Sequence, residues 1–238
     1  MNTATLVHMT PDADEAIAKL ARVSNPQNEN NTETAPRLIR YLIDHNHWSP
    51  FETVHATVEI ITTRDIGRQI LRHRSFSFQE FSGRYAAYDG LLHERMMRYQ
   101  DPENRQSSVI PDGDLLVDPS TKESKDWVWW CNAVDRLAAQ AEEVYAEALN
   151  RGIAKEVARS ILPEGLVPTR MYMAGSIRSW IHYCRERLAP GVQYEHQLVA
   201  GQIYWAIFGQ LPMIEQAIVG YVDAPSRAQA RAHMPKGV

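Results

Sequence analysis

Residues 68–85 read Arg68-Gln69-Ile70-Leu71-Arg72-His73-Arg74-Ser75-Phe76-Ser77-Phe78-Gln79-Glu80-Phe81-Ser82-Gly83-Arg84-Tyr85. Four arginines, one histidine, three serines, two glutamines and one carboxylate crowd into eighteen positions. A guanidinium is planar, permanently charged and offers a fork of donors that fits phosphate oxygens. Serine hydroxyls and backbone N–H groups can complete such a cage. One arginine pair would read as a solvated, salt-bridged helix end. Arg-His-Arg followed by Ser, Gly and Arg points instead to a phosphate or nucleotide site. Gln69 and Arg72, three apart at a helix end, would share a face. An extended segment beyond them would put Phe78, Glu80, Ser82 and Arg84 on one side. Gly83 would remove a Cβ where a ligand or backbone approaches closely.

The elements that must position this segment read as mixed α and β. Residues 5–10 form a short strand, and residues 12–23 a helix with Ala16, Ile17, Leu20 and Ala21 at helical spacing, stopped by Asn25-Pro26. Residues 26–33 are a polar loop and residues 35–45 a second helix. Over residues 53–61 the period becomes two: Val54, Ala56, Val58 and Ile60 alternate with Thr53, His55, Thr57 and Glu59, the mark of a strand covered on one face. Residues 63–71 return to helical spacing, and residues 76–85 alternate again. Residues 99–126 carry Pro102, Pro111 and Pro119 among many Asp and Ser, and form a long loop for which a lid over the site is the expected role. A long helix follows over residues 127–150, its buried face drawn through Trp127, Trp130, Val134, Leu137, Ala141, Val144 and Ala148. A shorter helix over residues 153–162, a strand over 169–174 and helices over 177–188 and 194–208 complete the chain. The expected fold class is α+β: residues 1–238 as one domain, with a small, mainly antiparallel sheet packed by helices.

Composition narrows the function. The 238 residues carry 25 Lys plus Arg against 29 Asp plus Glu, a formal net charge of −4. General nucleic-acid binding normally shows as a basic excess, so no nucleic-acid partner is expected. No apolar run approaches the length of a membrane-spanning helix, and the start of the sequence lacks a basic, apolar leader, so neither a membrane association nor secretion is expected. Two cysteines, Cys131 and Cys184, cannot build a disulfide framework, which fits a cytoplasmic location. His45-Asn46-His47 is the nearest histidine pair, but no Cys pair or His-Glu-x-x-His spacing supplies a ligand set, so no metal is expected. His45 reads as a helix-end residue on the last carbonyls, and His55 falls on the less covered face of its strand. Trp127, Trp129 and Trp130 read as helix packing. Glu195-His196 are helical neighbours pointing about 100 degrees apart and receive no catalytic role. Cys184 lies on an apolar helix face with Ile177, Ile181 and Leu188, and Cys131 on the tryptophan-rich helix. Neither is a convincing nucleophile, and Ser82, without a base beside it, is assigned to binding.

The arginine segment resembles the flavin-dependent thymidylate synthase (ThyX) family. That signature is Arg-His-Arg, two residues, Ser, four residues, Ser, one residue, Arg, and Arg72-His73-Arg74, Ser77, Ser82 and Arg84 fill every fixed place. Gln79 stands where an Asn is commonly described. Ala21-Arg22-Val23-Ser24, the run from His45 through Glu52, Val157-Ala158-Arg159 and Ile177-Arg178 through Arg187 resemble family blocks in the same order, so the likeness covers about residues 21–197.

The resemblance implies FAD as cofactor, held by Arg72, His73 and Arg74 with Glu80 beside them, Ser49 from the preceding loop, and His47. Arg178 and His182, four apart and so on one helical face, match positions lining the flavin, while Ser176 stands where the family often has Asn. It implies dUMP binding by Gln69, Arg72, Glu80, Ser82, Gly83, Arg84 and Arg159. Arg187 would lie against the uracil ring as the catalytic residue, stabilising negative charge as N3 ionises. The implied reaction is reductive methylation of dUMP to dTMP, with 5,10-methylenetetrahydrofolate as carbon donor and NADPH as reductant, in a homotetramer. A continuous helix over 177–188 would turn Arg187 away from Arg178. Either that helix ends before Arg187, or the two residues serve different sites across a subunit interface. Two other functions stay open from sequence: a folate- and flavin-dependent uracil methyltransferase acting on RNA, and a non-catalytic nucleotide-binding module.

Overall fold

The computed structural model describes residues 2–111 and 118–222. In chain order the elements are β1 (Thr3–Met9), α1 (Ala13–Ala21), α2 (Ala35–Asp44), α3 (Ser49–Glu52), β2 (His55–Thr63), α4 (Arg64–Ile70), β3 (Ser77–Glu80), β4 (Tyr99–Gln100), β5 (Ser108–Val109), α5 (Lys122–Asn150), α6 (Lys155–Ala158), β6 (Pro168–Ser176), α7 (Ile177–Arg187), α8 (Tyr194–Phe208) and α9 (Pro212–Ala217). The architecture is α+β, as expected. One four-stranded sheet has the order β1-β2-β6-β3, and β4 pairs with β5 apart from it. β1 runs antiparallel to β2, with a register shift between Leu6 and His8.

The described residues group into two compact units: those within 2–61, 70–79 and 170–222 form the first, and those within 62–69, 80–111 and 118–169 the second. In the first unit the period-two reading of β2 holds, since Val54, Ala56, Val58 and Ile60 are fully buried while His55 is exposed. Burying one face of a strand in this way supplies most of its stability, roughly 1.5–3 kcal/mol per large aliphatic side chain. Helices α1 and α2 turn Ile17, Ile39, Leu42 and Ile43 inward. Helix α8 buries residues around its whole circumference, as a helix inside a core must. Trp180 of α7 is fully buried, packs edge-on against Phe76 at 4.6 Å between ring centroids, and donates from its indole Nε1 to the Ala56 carbonyl at 3.2 Å.

The second unit is organised by α5, whose start is set by Thr121: its hydroxyl accepts from the Ser124 N–H at 3.1 Å. The helix therefore begins five residues earlier than the tryptophan spacing suggested, and ends before Gly152, which takes φ 78°. Its buried face differs from expectation. Val134, Ala138, Ala141 and Tyr145 are buried, whereas Leu137 and Val144 are about half exposed. The bulkier neighbours drew the reading away from Ala138, a small residue that signals burial weakly. Trp130 packs as expected and donates to the Arg95 carbonyl at 2.7 Å, but Trp129 is exposed. Residues 99–126 are not one loop: β4 and β5 form a short antiparallel pair, Tyr99 donates to Asp126 at 2.7 Å, and the helix takes the last residues. Residues 112–117 of the expected lid lie outside the described residues. The helix expected over 153–162 is one α-turn, α6, continued by a 3-10 turn at Arg159–Ile161.

Candidate active site

In the first unit, the junction of β6 and α7 gathers several of the proposed flavin residues. Ser176 ends β6 and caps α7, its hydroxyl oxygen accepting from the Ser179 N–H at 3.3 Å. The same hydroxyl donates to Glu52 Oε2 at 2.6 Å, and Arg178 Nη1 donates to Glu52 Oε1 at 2.7 Å. The Ser176 hydroxyl and the Arg178 guanidinium together hold the Glu52 carboxyl below its ordinary range, against the opposing cost of burial. Glu52 was missed as a site residue. Its position three residues after Ser49 was visible, but its partners lie more than 120 residues away and gave no local signal.

His182, one turn beyond Arg178, packs against Trp48 at 4.6 Å between ring centroids, and its Nδ1 lies 3.4 Å from the Tyr221 hydroxyl. Burial and the Arg178 charge push its pKa down. Two atoms of this face, Arg178 Nε and His182 Nε2, are buried and make no hydrogen bond. A buried polar atom without a partner costs roughly 1–3 kcal/mol, so this pair is a place where a polar ligand would be held. His47, from the loop before α3, and Ser49, from its first turn, are exposed. His45 does cap its helix, with Nδ1 2.9 Å from the Tyr41 carbonyl.

The Arg-His-Arg residues leave the helical path. Helix α4 ends at Ile70, so helical spacing does not place Gln69 and Arg72 on one face. Arg72 and Arg74 are exposed and make neither a hydrogen bond nor an ion pair among the described residues. His73 between them turns inward and accepts from Arg187 Nε at 2.8 Å. Burial and the Arg187 charge lower its pKa, keeping the ring neutral and able to accept. Helix α7 is continuous through Arg187, which removes the first of the two alternatives for that residue. Arg178 and Arg187 are nine residues apart, about half a turn out of phase, and each has its own partner.

The second unit carries the rest of the proposed substrate residues. Strand β3 stops at Glu80, and residues 82–86 form a turn closed by the Tyr85 N–H on the Ser82 carbonyl at 3.1 Å. The expectation of an extended run to Tyr85, with Ser82 and Arg84 in strand register with Glu80, is therefore wrong. The alternation was read from side-chain type, whereas Ser82 turns the chain: its hydroxyl accepts the Arg84 N–H at 3.4 Å. The turn brings Arg84 to Glu156 of α6 at 3.4 Å, while Lys155 donates to the Tyr85 carbonyl at 3.0 Å. Arg84 and the segment bearing half-buried Arg159 thus lie together, as the assignment needs. Glu80 accepts from the Thr169 hydroxyl at 2.8 Å. Gly83 is buried against its own chain: a Cβ there would come within 2.8 Å of the Tyr88 ring and hydroxyl. Its missing side chain serves Tyr88 packing, a reason the sequence reading did not identify.

The cysteines offer no thiolate. Burial raises the pKa of Cys184, which is fully buried, and that of Cys131. No cluster of three or more His, Cys, Asp or Glu suited to a metal occurs among the described residues. Glu195 and His196 are both buried, and His196 Nε2 lies 3.1 Å from the Tyr183 hydroxyl.

Comparison with known proteins bears on the whole chain. The family model described as Thymidylate synthase complementing protein matches residues 5–213. A probable flavin-dependent thymidylate synthase of Paramecium bursaria Chlorella virus 1 is 44% identical over 216 residues, covering 91% of this chain and 95% of the relative. The flavin-dependent thymidylate synthase of a Synechocystis strain is 48% identical over 185 residues, covering 77% and 79%. Among solved structures, a UMP/dUMP methylase from Streptomyces cacaoi bound with 5-Br dUMP superposes with a TM-score of 0.77 at 27% identity, covering 92% of this chain and 95% of that one. The match spans the arginine segment and both ends of α7, and on it the chain belongs to the thymidylate synthase complementing protein family, the flavin-dependent thymidylate synthases.

Proposed function

We propose that this protein methylates dUMP to dTMP, taking the carbon from 5,10-methylenetetrahydrofolate and the reducing equivalents from NADPH. Bound FAD, once reduced, supplies the hydride, and the protein binds, orients and polarises. The observation that carries the reading is a pair of buried polar atoms without a hydrogen-bond partner, Arg178 Nε and His182 Nε2, on one face of α7. Arg178 Nε is a donor, His182 Nε2 is a donor or an acceptor according to its tautomer, and the resemblance assigns both residues to the flavin. Arg72 and Arg74, exposed and unpaired, suit the pyrophosphate, and Ser49 and His47 lie on the loop assigned to the same cofactor. Ser176 enters indirectly, by fixing the Glu52 carboxylate that orients Arg178.

Gln69, Glu80, Ser82, Gly83, Arg84 and Arg159, with Arg72, are assigned to dUMP. In its present pairing Arg84 faces Glu156, an exposed partner it can exchange for a phosphate at little cost. Arg187 is assigned to the uracil ring. Its Nε is taken by His73, while its two terminal nitrogens make no hydrogen bond among the described residues, leaving them to stabilise charge developing at the ring. With both thiols protonated by burial, attack by a cysteine has no support. We further assign the enzyme to the cytoplasm as a homotetramer; among the described residues no helix is long and apolar enough to cross a membrane.

Purified protein tests the reading. It should be yellow, and its reduced form should make dTMP from free dUMP and methylenetetrahydrofolate. Because the structural relative is a UMP/dUMP methylase, UMP belongs in the same assay. Turnover of UMP with none of dUMP would overturn the substrate assignment, and colourless protein unable to take up FAD would overturn the cofactor.

A further inference from the structure

Behind His73 the first unit buries a polar pair that the reaction as described does not use. Tyr183 is 1% exposed and His196 fully buried, and they meet through the Tyr183 hydroxyl and His196 Nε2 at 3.1 Å. Filling this volume with apolar side chains would avoid desolvating two polar groups, a cost that hydrogen bonding only offsets. Their neighbours give the pair a use. The Tyr183 ring packs edge-on against the His73 ring at 4.8 Å between centroids, and His73 accepts from Arg187 Nε at 2.8 Å. Tyr183 and Arg187 are one turn apart on α7, so one face of that helix carries both ends of the contact. The His73 loop is anchored at its start, where the His73 N–H donates to the Ile70 carbonyl at 3.1 Å.

The donor directions are consistent along the line. Burial lowers the pKa of His196 to about 3 and the Arg187 charge pushes it the same way, so its ring is neutral, and with its own proton on Nδ1 it takes the Tyr183 proton at Nε2. The bond pins the far end of the Tyr183 side chain, whose ring forms one wall of the His73 site. His73, neutral in turn, must keep its proton on Nδ1, which lies 3.9 Å from the Glu186 carboxylate, because Nε2 accepts from Arg187. We propose that His196 is a positioning residue for Arg187: it anchors the Tyr183 side chain, whose ring braces the His73 imidazole that accepts from the Arg187 guanidinium. This rests on the assignment of Arg187 to the substrate ring.

The test uses the full chain with FAD and three variants. His196→Leu removes the acceptor, Tyr183→Phe removes the hydroxyl, and His196→Gln restores an acceptor near the Nε2 position. His196→Leu and Tyr183→Phe should each lower kcat for dTMP formation by about tenfold, with bound FAD and the KM for dUMP within about twofold of the parent. The double variant should be no slower than either single one, because both break the same link. His196→Gln should recover most of the rate, which a role in core packing alone would not explain. Imidazole nitrogen-15 shifts give a readout independent of turnover: His73 should be the Nδ1–H tautomer in the parent and lose that definition in His196→Leu. Parental kcat in Tyr183→Phe, or an unchanged His73 signal in either variant, overturns the inference. If the parent itself makes no dTMP, the functional assignment fails, while the nitrogen shifts still judge the link.

Discussion

The neutral burial of His196 has a measurable consequence for stability. Its folded pKa is about 3 against an ordinary 6.5, so the unfolded chain takes up a proton first as the pH falls. The stabilisation is fully present above the unfolded value and is lost progressively between 6.5 and about 3. Near pH 7 the unfolded histidine is mostly neutral, and the loss is ~0.2 kcal/mol. At about pH 5 the unfolded state sits roughly 1.5 pH units below its pKa, which at 1.36 kcal/mol per unit is ~2 kcal/mol. This figure depends on the unfolded value alone so long as the folded one lies well under 5, so it does not require the buried value to be known closely. His73 and His182 are lowered too and act in the same direction, while His93, raised by Asp135 and Glu142, acts in the opposite one. All three remain in a His196→Leu variant; His182 and His93 cancel in the difference, and the imidazole nitrogen-15 shifts of His73 over the same pH range give the part that does not. Denaturant unfolding, followed by tryptophan fluorescence at both pH values, should show the parent losing ~2 kcal/mol more than His196→Leu on acidification. Equal losses within about 0.5 kcal/mol would mean that His196 is not held neutral, and the donor directions drawn through Tyr183 would fail with it.

Other outcomes follow from the same geometry. Gly83→Ala drives a Cβ to within 2.8 Å of Tyr88; it should cost ~1–3 kcal/mol in thermal or denaturant unfolding, even without dUMP present. Unchanged stability would return Gly83 to a purely ligand-facing role. Glu52→Gln should weaken FAD retention severalfold near neutral pH by releasing Arg178 and the Ser176 hydroxyl. Because the folded Glu52 pKa is depressed, its contribution is present above the ordinary value of 4.5 and is lost as pH falls through the folded one. The acid-induced part of flavin release should therefore be flatter in Glu52→Gln than in the parent. Arg187→Ala should abolish turnover, a loss of roughly 3–4 kcal/mol of transition-state stabilisation or more, while much of the FAD stays bound. Normal dTMP formation by that variant would remove Arg187 from the chemistry.

What the sequence disclosed depended on the range over which its signals act. The alternation over residues 53–61 and the run around Ile177, Ile181 and Cys184 reported burial faithfully, because a strand or helix with one covered face writes its period directly into the chain. Short-range turn chemistry was harder. Ser82 looked like a strand position by alternation, yet it ends β3 by closing a turn, and α4 stops two residues before Arg72. Small residues misled in another way, as Ala138 lies buried where Leu137 had been read as the inward residue. Candidate site residues were named from their types and from the family pattern they resemble. Their supports were not: Glu52 meets Ser176, and His196 meets Tyr183, through contacts that no local spacing encodes. The refusal of a catalytic role to the Glu195-His196 pair agrees with its burial, but the position of His196 behind His73 emerged only from the packing of α7 on α8.

The central claim is that the arginines and the unpartnered polar atoms of α7 serve one reaction on a free nucleotide. Its most direct measurement is single-turnover chemistry: protein reduced by NADPH under anaerobic conditions, then mixed with dUMP and methylenetetrahydrofolate, with flavin absorbance and dTMP followed together. Reoxidation of the flavin in step with about one dTMP formed per site, and none when dUMP is omitted, is the result expected. Flavin that stays reduced while no dTMP appears, or a colourless protein that binds dUMP and does nothing further, would contradict the account.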